Sequence, residues 1–251
     1  MGKIWTIAQK EFKTYFTSPL AYVVISFFLL LTGISFYSLF NRFIQISTYN
    51  VSNKPLSINK EIMGYLLGNM NIFLLMLIPF VTMRLFSEER KSHTIELLIT
   101  SPITLMDIIL GKFLSSLMLI TVMLGLTLIY PIILFATGNP ELGPILTGYF
   151  GIIFQTCFYL SLGLLFSSMT ENQIVAGLIT FVVSLYFYLV SLSAFSAGPV
   201  WGEVLKYISP INHYHNFLKG IISSADVVYY ISLTGIGLFL THRTLDSYRW
   251  R

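Results

Sequence analysis

Charged residues are scarce in this chain. Of its 251 residues only 10% are Asp, Glu, Lys or Arg, 55% are hydrophobic, and the mean hydropathy is +0.76. Soluble domains carry about 25% charged residues, so this composition excludes an ordinary water-soluble domain and points to a membrane protein. Cysteine is nearly absent: Cys157 stands alone inside an apolar run, which excludes a disulfide framework and leaves packing as its simplest role. A phosphate-cradling loop is missing as well, because Gly111-Lys112 is followed by Phe113 and has no glycine at the required upstream position. The chain is therefore expected to hold no nucleotide, to need no cofactor or metal, and to catalyse nothing by itself. Its net charge of +4 does not indicate nucleic acid, since the basic residues border apolar runs without forming a basic helix.

What the chain does have is long uncharged stretches, at 14–41, 62–83, 113–140, 142–170, 172–202 and 227–242. A helix crosses the hydrocarbon core with about 20 apolar residues, and six spans fit, at 20–41, 65–85, 106–136, 145–168, 174–195 and 226–242. Segments such as LITFVVSLYFYLVSL are apolar on every side, unlike the alternating strands of a membrane barrel. The expected fold is an all-α integral membrane protein with six transmembrane helices, one transmembrane domain over 1–251.

Lysine and arginine set the expected orientation. With both termini on one side, that side collects ten basic residues, including Lys3, Arg84, Arg90, Lys112 and Arg243, against five opposite, among them Lys60, Lys206 and Lys219. The bias places the termini in the cytoplasm, in a multi-pass protein of the inner membrane.

Two polar stretches on that side carry more pattern than connectors need. Trp5, Ala8, Phe12 and Tyr15 recur at steps of three and four, which predicts an amphipathic interfacial helix over 3–17 lying against membrane lipid. The second stretch, SEERKSHTIELLITSPIT from Ser87 to Thr104, is densely charged. Ile95, Leu98 and Ile99 form a small apolar face, Glu96 suits a helix first turn, and Ser92 is a candidate cap. A short helix within 87–103 results, with a solvated loop between spans as the other reading. Ser18-Pro19 and Ser101-Pro102 each mark a bend into a span, with proline at the first helical position.

The residues FSEERKSHTIELLITSPIT resemble the segment between the second and third spans of ABC-2-type permeases, the transmembrane subunits of ATP-driven exporters. Their pattern is an acidic-basic run, then Gly-Thr-x-Glu-x-Leu, then a small residue and proline. KEFKTYFTSPLAYVV, SSMTENQIVA and the ending DVVYYISLTGIGLFLTHRTLDSYRW extend the likeness along the whole chain, which is most similar within the family to the permease of the gliding-motility transporter. His93 stands where the family usually has glycine.

The resemblance implies that 87–103 is a coupling helix docking on a separate ABC ATPase subunit, with Glu88, Glu89, Arg90, Thr94, Ile95, Glu96, Leu98, Ile99 and Pro102 as the contact set. It also implies pairing with a second permease, identical or related, and short re-entrant helices on the outer side within 200–225. Gly163, Ser161, Ser167 and Ser168 are small residues that could serve that pairing. Export of a substrate, or mechanical work delivered to a periplasmic or envelope partner, would be the output.

A reading from another class rests on His213 and His215, which with Glu203 and Asp226 nearby would make a zinc-dependent intramembrane hydrolase.

Overall fold

Lipid offers the backbone no hydrogen-bond partners, so apolar runs of this length must satisfy their own N–H and C=O groups, and helices do so. The computed structural model of the chain describes residues 2–49, 57–94, 103–193 and 198–248, and all regular structure among them is helical. Helix α1 (Gly2–Thr17) leads into α2 (Pro19–Tyr49); a π-helical turn (Asn59–Gly64) leads into α3 (Tyr65–Thr82), followed by α4 (Ser87–Lys91). Then come α5 (Leu105–Leu126), α6 (Ile129–Thr137), α7 (Leu142–Met169), α8 (Gln173–Ser193), α9 (Gly198–Ile208), α10 (Pro210–Leu218) and α11 (Ser224–Tyr248). Among the described residues six helical stretches are long and apolar enough to cross a membrane, an even number that puts α1 and the end of α11 at the same end of the bundle.

Helix α7 is the centre, packed by α3, α5, α8, α10 and α11. Small residues let those neighbours approach. A Cβ on Gly163 would lie 2.2 Å from Thr82 Oγ1 of α3, and one on Gly237 of α11 would lie 2.4 Å from Ser161 Oγ of α7. Gly163 and Ser161, candidates for pairing between permeases, are thus spent on contacts within the chain. Three polar side chains in the middle of the bundle are paired: Asn71 Nδ2 donates to Gln155 Oε1 (2.7 Å), and Gln155 Nε2 donates to the Tyr159 hydroxyl (3.0 Å).

Some helix limits differ from those expected. The span expected over 106–136 is one apolar stretch, Leu105–Thr137, with its regular α-helix interrupted between α5 and α6 at Thr127-Leu128. Pro131 has no N–H to offer the Thr127 carbonyl one turn back. That carbonyl accepts instead from the Tyr149 hydroxyl (3.2 Å) and from Tyr130 N–H (3.1 Å). Helix α5 starts at Leu105 under a capping box, with Asp107 N–H donating to Thr104 Oγ1 and Thr104 N–H to Asp107 Oδ2. That start lies three residues beyond Pro102, whereas the bend is expected at Ser101-Pro102; Ser101 and Pro102 are outside the described residues. Pro19 does head α2, but Ser18 Oγ donates back to Tyr15 O (3.2 Å) and accepts from Arg84.

Candidate functional site

At the end that carries the termini, α3 stops at Thr82 and the chain turns through 83–86 into α4. A new helix start leaves N–H groups without intrahelical partners. Ser167, near the end of α7, supplies one: its Oγ accepts from Phe86 N–H (3.0 Å) and Ser87 N–H (3.2 Å) and donates to Met83 O (3.1 Å). Ser87 Oγ also donates to Met83 O. Ser167 is therefore the clasp of the α3–α4 elbow, and the pairing between permeases suggested for Ser167 and Ser168 does not describe it. Arg90 fixes the other side of α4, donating to Ser168 O (2.9 Å) and meeting Glu171 Oε1 at 3.5 Å.

Lys112, on the second turn of α5, is only 2% exposed. Its ammonium lies 2.7 Å from Glu89 Oε1 of α4 and 3.1 Å from Glu11 Oε1 of α1, with the Phe86 ring 5.3 Å away. One cation thus joins three helices that meet from distant parts of the sequence. Glu89 Oε2 is buried with no hydrogen-bond partner among the described residues, so Lys112 is the main compensation for that carboxylate. In the sequence Lys112 stands out only in the charge bias and, with Gly111, as a failed phosphate loop. A possible signal was Glu11, which falls at steps of three and four between Ala8 and Tyr15 on the α1 face that packs inward.

The remaining contacts of α1 complete the site. Tyr15 is 2% exposed, its hydroxyl donates to Val81 O (3.2 Å), and burial pushes its phenol well above the usual range, which keeps the donor protonated. The Arg84 guanidinium sits over its ring at 5.2 Å. Ala8 is fully buried, and a Cβ on Gly111 of α5 would lie 2.6 Å from Ile7 Cγ2. Trp5, by contrast, is 50% exposed, and Phe12 is half-buried. These two line an apolar groove with Leu117, Met118 and Val122 of α5, so the inward face is turned toward Glu11 relative to the stripe read from the sequence. Phe12→Glu places a charge in that groove and forfeits part of the roughly 1.5–3 kcal/mol of a buried aromatic side chain. Its expected outcome is release of α1 from α5, read as increased protease cleavage within residues 2–17; unchanged cleavage would make Phe12 a surface anchor alone.

Helix α4 ends in a Schellman motif. His93 N–H bonds to Arg90 O (3.1 Å), and Thr94 N–H to Glu89 O (3.0 Å). The residue between cap and exit is His93, at φ 56°, in the left-handed region that favours glycine. Gly220 closes α10 by the same device at φ 83°, with Ile221 N–H on Asn216 O. Glycine in the family pattern at position 93 and this left-handed turn have one explanation. Ser92 Oγ donates to Glu88 O (2.9 Å), so Ser92 belongs to the end of α4 and not to the start of a further helix.

Of the expected contact set, Glu88, Glu89, Arg90 and Thr94 are gathered on α4 and its exit turn. Ile95, Glu96, Leu98, Ile99 and Pro102 lie outside the described residues. A polar cleft of about 430 Å³, lined by Glu11, Tyr15, Arg84, Glu88, Thr94 and Lys112, opens beside α4.

At the opposite end, His213 is engaged. Its Nδ1 lies 2.6 Å from Asp226 Oδ1, its Nε2 lies 2.9 Å from Tyr207 O, and Tyr229 stacks on the ring at 3.9 Å. Asn216 Nδ2 donates to the other Asp226 oxygen (2.9 Å). With both ring nitrogens and both carboxylate oxygens used to lock α9, α10 and α11 together, the zinc reading loses two of its ligands. Among the described residues no three His, Cys, Asp or Glu side chains converge on a point.

Comparison with known proteins identifies this architecture. Residues 5–242 match the family described as ABC-2 family transporter protein. The chain belongs to the ABC-2 transporter family. It is also 28% identical over 157 residues to the "Probable multidrug ABC transporter permease YbhR" of Escherichia coli strain K12, and equally to that of strain O157:H7. The alignment covers 61% of this chain and 42% of each relative, so the chain spans well under half the length of the curated relatives it matches. Membership makes it a multi-pass membrane permease of the ABC-2 type.

Proposed function

We propose that this chain is the transmembrane subunit of an ATP-driven exporter, with segment 87–103 receiving movement from a separate ABC ATPase on the cytoplasmic side. The observation that carries the reading is the bracing of α4. Lys112 ties it to α5 and α1, while Ser167 and Arg90 tie it to α7. The segment 95–102 runs between α4 and α5, so a push on it reaches two helices that already share the Lys112–Glu89 ion pair. Rigid transmission needs such packed, hydrogen-bonded connections.

In this reading two permease chains pair around a translocation path, two ATPase chains bind below, and the inner membrane holds the assembly with both termini in the cytoplasm. An amphiphilic passenger agrees with the multidrug name of the relative. The likeness to a gliding-motility permease, with mechanical work on an envelope partner as output, rests on the sequence motifs alone.

Orientation is tested by cysteine accessibility in a Cys157→Ala background. Single cysteines at Thr94 and Glu171 are expected to label only after the inner face is opened, and one at Glu203 from outside intact cells. Labelling of position 94 from outside would overturn the reading.

A further inference from the structure

At the end opposite the termini, a crevice of about 750 Å³ runs down α3 between α7, α8 and α10. Its length follows from the helix: Asn59 to Ile72 spans about 20 Å at 1.5 Å per residue, and both line it. The volume falls within the range of pockets that take small-molecule ligands, about 300–1,000 Å³.

The mouth is cationic. Lys60 and Lys219 line it and are exposed, and neither makes an ion pair among the described residues. His215 stands with them, its pKa lowered first by burial and then by the Lys219 charge. The one acidic lining residue is Glu141, whose backbone N–H and C=O are both held by the Asn59 side chain (3.1 and 2.9 Å). The rest of the lining includes Ile72, Tyr188, Ile211 and Leu218, with Asn69 and Asn71 donating to Ser35 Oγ and Gln155 Oε1. Tyr214 also lines it, 1% exposed, with a hydroxyl that has no hydrogen-bond partner among the described residues.

Gly64 and Gly68 show that the space is kept open. They stand one turn apart on the crevice wall, where glycine costs a helix about 1 kcal/mol relative to alanine. Close packing accounts for Gly111, Gly151, Gly163 and Gly237, each of which would bring a Cβ within 3.0 Å of a neighbour. It does not account for Gly68, whose Cβ would meet nothing within 4 Å. A side chain there would enter the crevice.

We infer that this crevice is a binding site for an anionic phosphate headgroup, with Lys60 and Lys219 taking the charge and the α3–α8–α10 wall taking an apolar tail. Binding requires no ATPase and no transport, so its failure would leave the exporter reading standing.

The purified chain in detergent, supplied with phosphatidylglycerol or with phosphatidylcholine of the same chains, is read by native mass spectrometry. Phosphatidylglycerol is expected to be retained over phosphatidylcholine. Gly68→Leu, which fills the space without a steric clash at Cβ, should cut that retention at least tenfold with unchanged melting temperature. Lys60→Gln and Lys219→Gln should each cut it about fivefold, near the worth of one lysine at an anionic surface, and should carry the test if Gly68→Leu folds poorly. Millimolar inorganic phosphate distinguishes the source. Failure to displace the lipid assigns the site to an amphiphile, and displacement assigns the same cationic mouth to free phosphate. Equal retention of both lipids by the parent, or unchanged retention in all three variants, would overturn the site. Conversion of a dimer to monomer by Gly68→Leu with lipid retention intact would also overturn it, giving the crevice to a second copy of the chain.

Discussion

Lys112→Met is expected to destabilise the chain by about 3–5 kcal/mol, the range for removing one partner of a buried ion pair. The Lys112 side chain is 3% exposed, and its ammonium lies within 3.1 Å of two carboxylates, Glu89 and Glu11. Without it those carboxylates face one another across the joint of α1, α4 and α5, with Glu89 Oε2 already lacking a partner. They must then protonate or admit water, and either loosens the elbow. The measurement is thermal unfolding followed by size-exclusion in detergent, where the variant should lose its monodisperse peak well below the parent's temperature.

The triple variant Glu11→Gln, Glu89→Gln, Lys112→Met separates charge from packing. Replacing a whole buried ionic network by apolar side chains is often neutral; with glutamine amides, which are uncharged but still polar, the triple variant should regain part of the lost stability. If Lys112→Met alone unfolds like the parent, the triad is not a joint.

Why this joint was invisible in the sequence is instructive. Helical periodicity reports which face of one helix is apolar, but not which charge on one helix meets which charge on another. Glu11 and Lys112 are 101 positions apart, and nothing in either neighbourhood names the other. The spans were legible for the opposite reason. Each is a run in which lipid forbids charge, so gaps between charges mark them, and six helical stretches of sufficient length and apolarity are present among the described residues. Where backbone chemistry intervened, the runs were silent: the stretch Leu105–Thr137 crosses as one span, and the break in regular α-helix between α5 and α6, ahead of Pro131, leaves no mark in the charge gaps.

The α1 stripe shows a subtler limit. Choosing Trp5, Ala8, Phe12 and Tyr15 by hydrophobicity located two fully packed residues, Ala8 and Tyr15, but excluded Glu11, which faces the same neighbours because a cation awaits it. His93 marks the converse case. The departure from the family's glycine was readable, and the left-handed turn at the end of α4 supplies its physical reason.

The proposed docking of an ATPase falls on the segment leaving α4. Leu98 is expected at the centre of its apolar face, where aspartate would bury an unpaired carboxylate in a small interface; losses of about 3–5 kcal/mol correspond to at least a hundredfold weaker binding. Glu96→Gln keeps shape and removes only charge, so it should retain the partner and lower turnover. The most direct measurement is ATP hydrolysis in the eluate after affinity purification of the tagged chain from its native cells. The account predicts hydrolysis with the parent chain, reduced turnover with Glu96→Gln and almost none with Leu98→Asp. A Leu98→Asp eluate that hydrolyses ATP as fast as the parent's would contradict it.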